Sequence, residues 1–171
     1  MQTQHHASAP IAPRQDFSLP AGAARFDERT ILFGCCANDI KVSGEDTGGR
    51  LGVFEYVGAM RGGPPLHLHE EQDEIYVVQA GEYLFQVGDR QTVVTAGGTI
   101  FLPRGVPHAF VQLSDTGRML FMFSPAGAME GYFRALAELT GPPPPAEEAA
   151  LFAAHGMRLV GPPIDPGHAA L

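Results

Sequence analysis

From Thr30 to Phe123, short apolar segments rich in Val, Ile, Leu, Phe and Tyr alternate with clusters of Gly, Asp, Asn and Pro. This is the punctuation of strands joined by turns. Asp39 to Val42 and Leu51 to Val57 flank a Gly-Glu-Asp-Thr-Gly-Gly stretch, and Tyr83 to Val87 and Gln91 to Thr95 flank Gly88-Asp89-Arg90, which predicts two hairpins. Gly97 to Leu102 and Ala109 to Leu113 bracket a turn at Pro103 to Pro107, and Met119 to Phe123 is a further strand. Many short strands at this spacing predict an all-β, antiparallel sandwich or barrel.

The period then changes. Met129, Tyr132, Phe133, Leu136 and Leu139 follow the three-and-four spacing of a helix with one buried face, predicted over Ala128 to Leu139. Gly141 and Pro142 to Pro145 stop it. A second short helix begins around Glu147 and Glu148, whose charges suit the positive end of its dipole, and stops at Gly156. Met157 to Val160 reads as extended, and Gly161-Pro162-Pro163 through Gly167 reads as a loosely ordered arm or docking segment. No internal repeat is visible, which excludes a duplicated two-barrel chain. The expected organisation is one domain: an N-terminal arm (1–29), a β-barrel (30–125), and a C-terminal helical segment and tail (126–171).

Composition narrows the partners. At 171 residues the chain buries enough surface for an independent core without disulfides. A net charge of −8 repels nucleic acid and anionic lipid alike. Met1 to Pro20 lacks a basic head followed by an apolar run, so no secretory signal is read and a cytoplasmic location is expected. No run of about 18 apolar residues occurs, so no membrane span is expected. The adjacent Cys35 and Cys36 cannot form an unstrained bridge. Their functional reading is a thiolate ligand or redox pair; beside Ile31, Leu32 and Phe33 the competing reading is reduced, buried hydrophobes on a strand, which is the expectation.

The candidate chemistry sits in Gly63-Pro64-Pro65-Leu66-His67-Leu68-His69-Glu70-Glu71-Gln72-Asp73-Glu74. His67 and His69, two apart on a strand, share a face. Glu74 lies at an odd offset, but the polar Glu70 to Asp73 stretch makes a loop that resets the parity. Glu74 then opens the strand Ile75 to Val78 facing the same interior. His108 follows the Pro103-Arg104-Gly105-Val106-Pro107 turn at the head of a later strand. Four side chains can therefore converge.

Two motifs in order, His67-x-His69, four residues, Glu74, six residues, Gly81, and then Gly97, five residues, Pro103-x-Gly105, two residues, His108, resemble the cupin superfamily. The sequence departs from that pattern twice: Arg61 stands where a glycine is expected, with Gly62 one place late, and Gln112 replaces a terminal Asn. The resemblance covers about Gly62 to Gln112. It implies a cupin-type β-barrel, a jelly roll or double-stranded β-helix, carrying one or two C-terminal helices. It also implies His67, His69, Glu74 and His108 as ligands of one divalent transition metal. Neutral imidazoles and a carboxylate suit Fe, Mn, Co, Ni, Cu or Zn and leave coordination places open, while the lack of Cys ligands argues against a closed structural zinc. His5, His6, His155 and His168 have no partner spacing and read as solvated, with His155 near a helix C-terminus.

Around the metal the candidate small-molecule pocket is Phe54, Tyr56, Leu66, Tyr76, Phe85, Phe110, Gln112 and Met122, with core packing as the competing reading. Tyr76 and Phe110 each sit two residues past a ligand and so share its face. Arg61 and Arg104 are candidates to guide an anionic substrate, against a plain surface role. The single-barrel layout followed by Gly127-x-x-x-x-Tyr132-Phe133-Arg134-Ala135-Leu136 looks most like quercetin 2,3-dioxygenase-like proteins. That implies dioxygen-dependent cleavage of an enolisable, hydroxylated, flavonol-like ring, with Glu74 completing the metal shell or acting as catalytic base. A metal-dependent cyclase or isomerase and a non-enzymatic binding cupin use the same barrel and stay open as alternatives. A homodimer is expected, since two-fold pairs are the commonest assemblies.

Overall fold

A computed structural model describes residues 15–165. Its strands form two antiparallel sheets. The first runs in the order β1 (Ile31–Leu32), β2 (Cys36–Val42), β3 (Gly52–Gly58), β10 (Gly117–Ser124), β5 (Asp73–Ala80), β8 (Thr99–Leu102). The second runs β11 (Met157–Pro163), β4 (Pro65–His69), β9 (His108–Gln112), β6 (Glu82–Val87), β7 (Arg90–Thr95). After β3 the chain passes repeatedly from one sheet to the other, which is the jelly-roll winding.

Both predicted hairpins form, β2 with β3 and β6 with β7. The first is joined by a single helical turn, α1 (Gly44–Thr47), whose Ser43 and Asp46 make a reciprocal capping box. β8 and β9, which flank the Pro103 to Pro107 turn, lie in different sheets, so that turn is a corner of the sandwich and not a hairpin. Gly81, the single residue between β5 and β6, makes another corner with a φ of 85°, and a Cβ there would lie 2.6 Å from Ser114 Oγ. Only glycine meets both conditions.

Alternation along β10 sets the core: Met119, Phe121 and Phe123 point inward. They pack with Phe54, Tyr76 and Phe85, while α2 (Met129–Ala137) adds Phe133 against Phe54 and Phe121. The helix α3 (Pro145–Ala154) starts with proline at its first turn, where no amide donor is missed, and buries Phe152. His155 closes α3, its Nδ1–H donating to the Leu151 carbonyl at 2.8 Å. No helix among the described residues is long and apolar enough to cross a membrane.

Two expectations are corrected. Gly161 to Pro163 is not a loose arm: it continues β11, which pairs with β4 from Met157↔His69 to Pro163↔Pro65. β11 is an edge strand, where a proline without its amide donor is tolerated, so the prolines hid a strand. The Ile31 to Cys36 stretch is not one buried strand either. Phe33 and Gly34 turn the chain with positive φ, and Cys35 is exposed while Cys36 is buried. Residues 1–14 and 166–171, with His5, His6 and His168, lie outside the described residues.

Candidate metal centre

β4 and β9 lie side by side with His67 opposite His108 in register, and β4 alternation brings His69 to the same inner face. From the facing sheet, β5 opens with Asp73 and turns Glu74 inward. One ring nitrogen from each of the three histidines lies within 4.8 Å of the others. Glu74 Oε2 stands 3.2 Å from His108 Nε2 and 3.7 Å from His69 Nε2. All four residues are buried.

Two of the imidazoles have a fixed tautomer. His67 Nδ1 contacts the Pro65 carbonyl at 2.8 Å and His108 Nδ1 the Val106 carbonyl at 2.9 Å. A carbonyl only accepts, so Nδ1 carries the proton and the Nε2 lone pair is left for the interior. His108 Nε2 then faces a carboxylate oxygen, which also only accepts, and neither atom makes a hydrogen bond. His69 Nε2 is likewise unsatisfied. Buried acceptors without donors are costly, and a cation among them satisfies the whole group. The donor set fits a divalent transition ion.

Burial favours the neutral form of two of the imidazoles, His67 and His69. Burial, followed by the neighbouring His108 and His69, pushes His67 down to about 3, and burial lowers His69 as well. Burial alone would raise Glu74, but proton donation and positive charge from His108 and His69, when these are protonated, hold the carboxyl below its ordinary range. Burial, then the adjacent Glu74 carboxylate, pushes the Tyr76 phenol up.

The loops are tied together from outside. Arg104 donates from its backbone amide and Nε to Asp73 Oδ1, each at 3.0 Å, and from a terminal nitrogen to Asp73 Oδ2 at 2.7 Å. The Gly105 amide donates to the His69 carbonyl at 2.8 Å. The turn that presents His108 is thus fastened to the loop that presents Glu74. Arg104 is engaged here, and Arg61 pairs with the exposed Asp115, so each has a surface role.

The aromatic candidates divide. Tyr76, Phe85 and Phe110 form a packed group with centroids 5.2 to 5.7 Å apart, and Tyr56 meets Phe110 edge-on at 6.2 Å. Phe54 stacks on Phe121 deeper in the core. Gln112 points inward but is committed: Tyr83 donates to its Oε1 at 3.2 Å and its Nε2 donates to the Ser114 carbonyl at 3.0 Å. Leu66 and Met122 are corrections. Leu66 precedes His67 and so takes the opposite face of β4, against Gly161, and Met122 lies between the inward Phe121 and Phe123 on the outer face of β10. Two neighbours lie outside the predicted set: Phe123, 5.0 Å from the His69 ring, and Phe152 of α3, 5.3 Å from His67. Strand alternation from Phe121 would have given the first. Nothing in the motif signals the second.

Residues 57–124 match the cupin domain family, a match over less than half of the chain, and the two-sheet jelly roll agrees with it. A Streptomyces coelicolor protein is 41% identical over 54 residues, which span 32% of this chain and 51% of that relative, so the match covers about half the relative's length. Among solved structures, an RmlC-like cupin from Shewanella frigidimarina is similar with a TM-score of 0.54 at 22% identity, over 66% of this chain and 92% of that one. KdgF from Halomonas sp. is similar at 0.51 and 17%, over 57% and 86%. A predicted oxalate decarboxylase from Thermotoga maritima is similar at 0.50 and 20%, over 53% and 80%.

Proposed function

We propose that this cupin holds one divalent transition ion through His67, His69 and His108, with Glu74 beside them as a fourth ligand or as the base, and acts as a dioxygenase on a small, enolisable hydroxylated aromatic. The observation that carries the metal is the buried meeting of His108 Nε2 and Glu74 Oε2, two acceptors at 3.2 Å with no donor between them. When bound, the ion supplies acidity to a hydroxyl oxygen and access to dioxygen chemistry.

The chain's own residues do the rest. The Pro65 and Val106 carbonyls hold two imidazoles in one tautomer. Glu74, held as a carboxylate, accepts the substrate hydroxyl proton, and the Tyr76 phenol beside it steadies that charge. The rings of Tyr76, Phe110 and Phe123 keep water from the reacting atoms and suit a flat aromatic partner.

Oxygen-electrode assays over flavonols, catechols and diketones test the reading. Uptake that needs both substrate and metal supports it. Substrate consumption without oxygen uptake moves the same site to Lewis-acid chemistry, and ligand binding without product moves it to a binding role.

A further inference from the structure

Away from the imidazoles, a second group of donor atoms converges, all of them sulfur. The β1–β2 turn passes through Phe33 and Gly34 with φ of 50° and 72°. Positive φ is unfavourable for a bulky side chain, yet this turn sets the two thiols side by side, Cys35 Sγ 3.4 Å from Cys36 Sγ. From the separate loop after β3, Met60 brings its Sδ to 3.4 Å from Cys35 Sγ. Neither cysteine is in a disulfide.

Core packing accounts for the buried Cys36 but not for the other two sulfurs. Met60 is 53% exposed, and Cys35 is exposed as well, so both side chains meet each other at the surface. The donor set is also selective. Among the described residues, no His, Asp or Glu joins the two thiols in a three-ligand cluster, since that grouping occurs only at His67, His69 and His108. Thiolates alone admit zinc or iron, but a thioether as third donor without imidazole or carboxylate favours a soft monovalent ion.

We propose that Cys35, Cys36 and Met60 form a surface site for one Cu(I) ion, held by two thiolates and a thioether. Binding replaces two S–H bonds with two Cu–S bonds and releases two protons, with no change of oxidation state. Because the ligands bind as thiolates and release their protons, affinity falls as pH falls. The site is independent of the proposed dioxygenase chemistry.

Anaerobic titration of the full chain with Cu(I) against a chromophoric Cu(I) chelator, counting free thiols with a disulfide reagent at each step, tests the site. Protection of the exposed Cys35 thiol by about one equivalent is expected, and it persists in His67→Ala. Cys35→Ser loses the copper to the chelator, and Met60→Leu, a surface change, weakens binding by at least about tenfold. A Cys35 thiol left reactive at one equivalent overturns the proposal. So does copper lost with His67→Ala but kept with Cys35→Ser, or affinity unmoved by Met60→Leu.

Discussion

His108 and Glu74 meet from opposite sheets, Nε2 to Oε2 at 3.2 Å, so the proposed metal centre is also a seam between the two halves of the sandwich. An ion at this point fastens β9 to β5. Removing it reaches beyond chemistry to stability.

Metal removal is therefore expected to lower the melting temperature. A ligand present at a hundred times its dissociation constant stabilises by about 2.7 kcal/mol. Chelator-treated protein should melt lower than reloaded protein, and His108→Ala should lose the difference. Identical melting curves for treated and reloaded wild type contradict ligation.

Glu74→Gln keeps the shape of the side chain but removes the proton acceptor. Metal content measured by mass spectrometry should stay within a few-fold of wild type, while turnover should drop by about 100-fold or more. Full activity in this variant removes Glu74 as the base.

The Asp73–Arg104 pair acts on the site through the two loops it fastens. Asp73→Asn leaves both sheets intact but frees the turn that presents His108, and metal affinity should fall by about 10- to 100-fold. A competition titration with a chromophoric chelator reads this directly, and an unchanged affinity shows that the Gly105 to His69 backbone bond suffices.

Gly58 and Gly117 leave room for the buried Tyr83 and Gln112 pair. A Cβ on Gly58 would lie 2.0 Å from Gln112 Oε1, and one on Gly117 would lie 2.1 Å from the Tyr83 hydroxyl. Gly58→Ala is expected to destabilise by about 1–3 kcal/mol, as overpacking does. Urea unfolding decides it, and a midpoint equal to wild type rules out the crowding.

On the outer face of the first sheet, Glu55 pairs with Lys41 at 2.7 Å and with Arg118. Burial alone would raise its carboxyl, but Lys41 and Arg118 outweigh it and hold the folded value below 4.5. A depressed folded value means stability present above about 4.5 and lost as pH falls through the folded value. Glu55→Gln should cost about 1–3 kcal/mol at neutral pH, and the gap between wild type and variant should close in acid. A gap constant down to acid pH shows that the charge is not the source.

Alternation was enough to place His67 with His69, Tyr76 with Glu74, and Phe110 with His108. The same rule, applied to Leu66 and Met122, would have excluded both from the pocket, since each is one residue from an inward neighbour. The Cys35 turn was hidden because Phe33 adopts a backbone conformation that its residue type disfavours. Phe152 was out of reach for a different reason: it contacts His67 only because α3 and β11 fold back over β4, a tertiary relationship that no local period encodes.

That return of the chain has a consequence for assembly. β4, which carries two of the imidazoles, receives its outer neighbour only from residues 157–163, almost ninety positions later. During synthesis β4 waits as an open edge, its amides and carbonyls unmatched on that side, until Met157 and the residues after it leave the ribosome. When they arrive, Pro162 and Pro163 at the far end of the new edge offer no amide to another molecule, so the strand that completes the sheet also discourages its extension.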